Sequence, residues 1–341
     1  MLVSFIVVAY NAETKLVKLL DDLKKQNYDH EMIEVILVDS NSSDRTRQVM
    51  TDFANSDHDF RRVCVLDNPK KILPAGWNVA LKECQGDIIL RVDAHASIPE
   101  DFIRKNVECI KLGESICGGQ RKSIIEQNTK WQRTLLFVES SLFGSGIAGY
   151  RHENAKRYVK TLAHAAYRRE VFQTVGPYNE ALVRTEDNEM HYRMRQAGYK
   201  FCFDPSIVSY HHARNSFPKM LKQKYLNGYW IGRSLRTCPK AFSWYHFAPA
   251  CFVGATILSA MIGVWGSTWP LKLLLGTYGL GALMITVLSL IRERSLFQLV
   301  LPILFLLLHF SYGIGTFVGI ISLLWPVKND FKTSAIRLIS D

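Results

Sequence analysis

The sequence predicts an α/β fold with a mostly parallel, mixed sheet, followed by C-terminal transmembrane helices. Short runs rich in Val, Ile and Leu alternate with amphipathic stretches over the first two-thirds of the 341 residues, and several of these runs stop on an acidic residue. Three long stretches with few charges close the chain. Branched runs without clean alternation mark parallel strands covered on both faces, and their alternation with helices makes a doubly wound sheet.

Residues 2–9 read as the first strand. They lack the basic leading region and small-residue cleavage site of a signal peptide, and the run is too short for one. Further strands are expected at 33–39, 62–66 and 87–93, separated by helices near 14–25, 44–54 and 74–83. Pro99 opens another helix. The stretch 143–159, with Gly144, Gly146 and Gly149, suits a lid or substrate-binding loop, or plain disorder. Thr185 can cap a helix over 186–196, Gly198 can end it, and 201–210 is the next strand.

The closing apolar runs cover 247–265, 271–290 and 296–325. At about 1.5 Å per residue the first two each cross a hydrocarbon core of about 30 Å, whereas the third would be about 45 Å long if straight. Pro302 and the cluster Gly313, Gly315 and Gly319 allow one kinked helix or a broken pair. A cytosolic catalytic part puts Arg292 and Arg294 inside after two crossings, but a third crossing would leave Lys328, Lys332 and Arg337 outside. The positive-inside rule therefore expects the third run to re-enter or split.

The expected division is a cytosolic catalytic domain over 1–245, with a nucleotide-binding half at about 1–98 and an acceptor half at about 99–245, then a membrane region over 246–341. Net charge is +11. Basic residues crowd between Lys200 and His246 (Arg214, Lys219, Lys222, Lys224, Arg233, Arg236, Lys240), with Asp204 as the single acid. Directly before an apolar span, such a patch fits anionic lipid or a lipid diphosphate better than nucleic acid. Seven scattered cysteines without C-x-x-C spacing fit reduced thiols in a cytosolic part.

Four segments carry chemistry. Val35-Ile-Leu-Val-Asp39-Ser-Asn-Ser-Ser-Asp44 places a carboxylate at a strand end, where it can accept the N3–H of a uracil; a helix cap is the alternative for Asp39 and the preferred reading for Asp44. Ile88-Ile-Leu-Arg91-Val-Asp93-Ala-His95 offers an oxygen and a nitrogen to a divalent metal, Mn2+ or Mg2+, that would neutralise a leaving diphosphate. A neutral histidine bonded to a loop carbonyl is the alternative for His95. Glu186 and Asp187 open a helix; Asp187 suits a general base with Glu186 as its orienting neighbour, and first-turn acids stabilising the helix dipole are the alternative. His211, beside His212, can close the metal site as a third ligand. The G-x-G-x-x-G match at Gly144–Gly149 leads into Tyr150-Arg-His-Glu-Asn rather than an apolar-faced helix, and no Walker-type lysine loop occurs, which argues against dinucleotide oxidoreduction and ATP hydrolysis.

Taken together, Ser4-Phe-Ile-Val-Val-Ala-Tyr10-Asn11, Val38-Asp39-Ser-Asn-Ser-Ser-Asp44, Asp93-Ala-His95 and Thr185-Glu186-Asp187 resemble the family 2 inverting glycosyltransferases with the GT-A nucleotide-sugar-binding fold. Asn68-Pro69 before Asn78, Arg91-Val-Asp-Ala-His95, Tyr167-Arg-Arg-Glu-Val-Phe172, and Gly198 near Pro205 resemble the succinoglycan-type glucosyltransferases of exopolysaccharide and capsule assembly. The resemblance covers roughly residues 1–245. It implies that Ala9, Tyr10, Asn11 and Glu13 line the nucleotide pocket, with Asn78 also at the donor site. It further implies that Asp39 binds uracil, that Asp93 and His95 hold a metal-bound diphosphate, and that Asp187 is the base. His95 stands where most of the broader family has the second aspartate of D-x-D. Processive synthases of this superfamily carry Q-x-x-R-W where this chain reads Gln223-Lys-Tyr-Leu-Asn227, so one addition per acceptor is expected.

The expected enzyme is a multi-pass protein of the cell membrane with its catalytic domain in the cytosol. It would take a hexose from a UDP-sugar to a lipid-diphosphate-linked glycan in bacterial extracellular or capsular polysaccharide synthesis. Transfer to a polyprenyl phosphate, or a non-catalytic membrane scaffold, are the competing expectations.

Overall fold

The computed structural model describes residues 1–144, 155–214 and 216–324. Most of the glycine-bearing stretch at 143–159, with the G-x-G-x-x-G match, and the basic residues Lys328, Lys332 and Arg337 lie outside the described residues.

In chain order the elements are β1 Val3–Ala9, α1 Glu13–Lys24, β2 Ile33–Asp39, α2 Thr46–Asn55, β3 Arg62–Asp67, α3 Leu73–Glu83, β4 Ile88–Asp93, β5 Ala96–Ser97, α4 Phe102–Lys111, β6 Ile116–Ile124, α5 Lys130–Ser140, β7 Arg157–Val159, β8 Ala166–Arg168, α6 Arg169–Val175, α7 Glu186–Gln196, β9 Phe201–His212, α8 Phe217–Ser234, α9 Ala248–Val264, α10 Trp269–Glu293 and α11 Leu301–Ile321. The expected strands and helices of the first 111 residues are all present, within a few residues at their ends. Thr185 does precede α7, but its side chain makes no capping bond there. Gly198 ends the helix with φ +88°, a left-handed conformation that suits glycine.

The described residues form two compact units, 1–123 with 155–212, and 124–144 with 213–324. Residue 245, the expected domain boundary, falls inside the second.

The first unit is built on a sheet in the order β3-β2-β1-β4-β8-β6-β9-β5, with β7 also on β9. β1 to β4 are parallel neighbours, and β8 joins antiparallel to β4, so the sheet is mixed. All seven residues of β1 and of β2 are buried. Phe5, Val7 and Leu37 pack with Leu16, Leu19 and Phe102 on one face, while Ile6, Val8 and Ile36 pack with Trp77, Ala80 and Met190 on the other. Two covered faces explain why these runs do not alternate.

One carboxylate sits within this core. Glu34 on β2, with its side chain 1 % exposed, pairs with Arg62 at 2.8 Å and accepts bonds from Ser4 Oγ, the Gln85 amide and the Gly86 amide. A Cβ on Gly86 would stand 2.5 Å from the Ser4 nitrogen, so glycine is required for this close approach.

In the second unit, Trp244–Val264, Trp269–Glu293 and Leu296–Leu324 are long and apolar enough to span a membrane. Within the described residues the third run is one continuous helical stretch, Leu296–Leu324. Pro302 sits in the first turn of α11, where its missing N–H costs nothing, and the glycines serve as packing surface instead of as breaks. A Cβ on Gly315 or Gly319 would meet the carbonyls of Tyr225 or Tyr229 on α8 at 2.1 Å. Reciprocally, one on Gly228 or Gly232 would meet Tyr312 or Thr316 of α11 at 2.0 and 2.3 Å. Two four-residue glycine spacings thus bring the backbones of α8 and α11 together. A buried chain from Ser289 through Gln298 to Thr134 links α10 to α5, with bonds of 2.9 and 3.0 Å.

Candidate functional site

Parallel pairing sets the first part of the site. Ala9 lies level with Asp39, and Val8 with Asp93, so two acids and the turn after β1 share the C-terminal rim of the sheet, where α/β proteins bind their ligands. Asn11 and Asn41 take left-handed conformations, φ 47° and 60°, which asparagine tolerates, and both chains thereby leave the strands abruptly.

The two loops are stitched together. Asn11 N donates to Ser42 Oγ (3.0 Å), Asn11 Oδ1 accepts from Ser43 N (2.8 Å), and Glu13 Oε2 accepts from Arg45 N (3.0 Å). Asp39 is buried and accepts from Ser42 Oγ at 2.6 Å and from Ser42 N at 3.3 Å. Asp44 caps its own turn through Thr46 N. Burial pushes the Asp44 carboxyl up, but its hydrogen bonds outweigh this and lower it overall. Ala9 is buried, and Tyr10 and Glu13 are half-buried.

Asn78 on α3 spends its amide on a neighbouring loop. It donates to Tyr178 O (2.9 Å) and Glu180 Oε1 (3.1 Å) and accepts from Tyr178 N (2.8 Å). It therefore shapes the loop before α7 and presents no open amide group to a ligand.

At the end of β4, Asp93 Oδ2 meets His164 Nε2 at 3.1 Å, and His164 Nδ1 meets Ser209 Oγ at 2.9 Å. Burial pushes the Asp93 carboxyl up, yet His164 and its hydrogen bond hold it well below the usual range. His95 and His211 face each other edge-on with ring centroids 5.1 Å apart, because Ala96 pairs with His211 across β5 and β9. Burial lowers His95 to about 4 against the pull of Asp93, and lowers His211 well below its ordinary value. The His211 Nδ1 atom is buried without a partner.

An ionised carboxylate and neutral imidazoles are the protonation states that a divalent cation needs, and the unpartnered nitrogen fits that use. The geometry corrects the expectation, however. Asp93, His95 and His211 do not converge as a three-donor site, and among the described residues no three His, Cys, Asp or Glu side chains do. One Asp93 oxygen is already engaged by His164.

Glu186 and Asp187 open α7 in different settings. Asp187 has a side chain 38 % exposed and is gripped through both oxygens by Arg91, one bond at 2.8 Å. Burial raises its carboxyl, but the guanidinium outweighs burial and lowers it. Glu186 is buried, its Oε2 has no partner, and burial followed by the Asp187 charge holds it well above the usual range. Sequence reasoning did not single out Arg91 or His164. Arg91 carried a signal, since on a strand it lies two residues from Asp93 and so on the same face. His164 carried none.

A mixed α/β sheet with acids gathered at its rim is the architecture of the GT-A glycosyltransferases. The mannosyltransferase PcManGT from Pyrobaculum calidifontis, solved with GDP-Man and Mn2+, shares this fold with a TM-score of 0.63 at 18 % identity, over 95 % of this chain and 87 % of its own. Residues 4–176 match the model of glycosyl transferase family 2, and the chain belongs to that family.

Among its relatives is the succinoglycan biosynthesis protein ExoA of Rhizobium meliloti (strain 1021), 29 % identical over 206 residues, which are 59 % of this chain and 59 % of ExoA. A second is a dolichyl N-acetyl-alpha-D-glucosaminyl phosphate 3-beta-D-2,3-diacetamido-2,3-dideoxy-beta-D-glucuronosyltransferase of Methanococcus voltae, 25 % identical over 325 residues, which are 94 % of this chain and 97 % of that protein. The chain is thus a glycosyltransferase with relatives in exopolysaccharide and lipid-linked glycan synthesis.

Proposed function

We propose that the chain moves a hexose from a UDP-sugar to a lipid-diphosphate-linked glycan, with inversion at the anomeric carbon, in the assembly of a bacterial extracellular or capsular polysaccharide. It would do so at the cytosolic face of a cell membrane that its apolar helices cross several times. The observation that carries this reading is the gathering of acids at one rim: Asp39 and Asp93 level with the end of β1, and Asp187 tied to β4 through Arg91.

In this reading Ala9, Tyr10, Asn11 and Glu13 border the nucleoside, and Asp39 accepts from the uracil. A divalent cation, Mn2+ or Mg2+, would supply charge neutralisation for the diphosphate, with Asp93 at the end of β4 as its carboxylate contact. Asp187 takes the proton of the acceptor hydroxyl as that oxygen bonds to the anomeric carbon, and UDP leaves with the electrons of the broken bond. Glu186 lies beside it, its carboxyl raised by burial and then by the Asp187 charge. A nucleotide-sugar donor is supported by the Staphylococcus aureus TarS fragment solved with UDP-GlcNAc, a neighbour in fold with a TM-score of 0.50 and 19 % identity.

One observation favours a second acceptor class. The Methanococcus relative, alike over 97 % of its own length, is named for a dolichyl-linked sugar phosphate. Screening UDP-sugars for UDP release with Mn2+ identifies the donor. Offering polyprenyl phosphate, a polyprenyl monophosphate sugar and a polyprenyl diphosphate glycan then separates the acceptors, and only the last accepts sugar under the proposal. Asp187→Asn is expected to abolish transfer while UDP still binds; retained turnover removes Asp187 as base.

A further inference from the structure

The Arg91–Asp187 pair is one end of a longer construction. Arg91 rises from β4, its side chain 7 % exposed, with its guanidinium carbon 4.9 Å from the Trp77 ring centroid and 5.7 Å from that of Tyr178. Nη1 also donates to the Tyr178 hydroxyl at 2.9 Å. Tyr178 is itself fixed, because Asn78 bonds both its backbone N–H and its carbonyl. Four elements remote in sequence therefore converge on one guanidinium: α3 through Trp77 and Asn78, β4, the loop at 178, and α7.

We propose that Arg91 is the positioning residue for the catalytic base, gripping Asp187 by both oxygens so that its exposed edge meets the acceptor hydroxyl at one fixed angle. This inference rests on the reading of Asp187 as base. A planar fork matched to a carboxylate fixes orientation as well as distance, which a point charge does not. The aromatic faces around the guanidinium leave it no other seat. Its placement also sorts the adjacent acids. Arg91 bonds Asp187 and not Glu186, so the guanidinium lowers the Asp187 carboxyl while burial and the Asp187 charge raise that of Glu186.

The test uses the full-length protein in detergent, with the UDP-sugar that releases UDP fastest. Arg91→Ala is expected to lower kcat by about 100-fold, the scale on which a misplaced catalytic group costs rate. UDP affinity, measured by titration calorimetry, is expected to stay within about threefold, since the lost contact acts in the transition state and not on the nucleotide. Added guanidinium chloride should restore part of the rate in Arg91→Ala and none in Asp187→Asn. Arg91→Lys, which keeps the charge and loses the fork, should fall between wild type and alanine.

Unchanged kcat in Arg91→Ala overturns the inference, as does activity that falls in step with UDP affinity. If the alanine variant does not fold, wild-type kcat in Arg91→Lys overturns it instead. Turnover by Asp187→Asn sinks the base reading, whereas an inactive Asp187→Asn beside a fully active Arg91→Ala sinks only the clamp. A wild-type chain that turns over no UDP-sugar removes the donor reading and the clamp with it.

Discussion

His164 shows how much a single side chain outside the recognisable motifs can control. It bonds Asp93 on one nitrogen and Ser209 on the other, in a left-handed conformation with φ 44°. Under the proposed function, its removal would free Asp93 to turn away from the diphosphate. His164→Ala is expected to raise the Mn2+ concentration needed for half-maximal UDP release by about tenfold or more, as losing an orienting partner of a metal ligand does, and a Mn2+ titration of the rate measures it. The acids themselves were legible in the sequence because each closes an apolar run or opens a helix. Their partners were not: His164 reaches Asp93 across 71 residues and Arg91 reaches Asp187 across 96, and no local pattern encodes such meetings. The same limit applies to Asn78, whose place near the site was readable but whose amide is used by the loop at 178.

Among the elements, β2 carries the clearest pH dependence. Burial pushes the Glu34 carboxyl up, but bonds from Ser4, the Gln85 and Gly86 amides and Arg62 outweigh it and lower it below its unfolded value. A carboxyl so lowered stabilises the fold fully above the unfolded pKa, and that stability is lost as pH falls through the folded one. Denaturant midpoints measured from neutral to acid pH should therefore drop below about pH 4.5, the range in which free glutamate takes up its proton. Glu34→Ala should flatten this drop and cost about 3–5 kcal/mol by stranding buried donors and Arg62. Parallel strands and their helices were legible because a period of two or 3.6 is local. The third apolar run was readable as one kinked helix or a broken pair because Pro302 and its glycines look like breaks, whereas α8 uses those glycines as a seam. Gly315→Leu is expected to destabilise the detergent-solubilised protein by about 1–3 kcal/mol, read as a lower thermal midpoint.

Across the whole molecule, a charged α/β unit and a helical unit with three apolar spans share one chain of net charge +11. Such a protein should stay in the membrane fraction through an alkaline carbonate wash and leave it only with detergent; release by carbonate alone removes the multi-pass reading. The expected positive-inside conflict arose at residues outside those described, and composition gave no means of seeing that α5 and α8 join the apolar helices. The glycine seam has a practical consequence for anyone shortening the chain. α8 precedes every apolar span, yet the helix that covers its bare backbone is the last of them. A fragment cut just ahead of α9 would therefore keep α8 while discarding its shield, leaving Gly228 and Gly232 open to self-association; trimming has to remove α8 as well or spare α11.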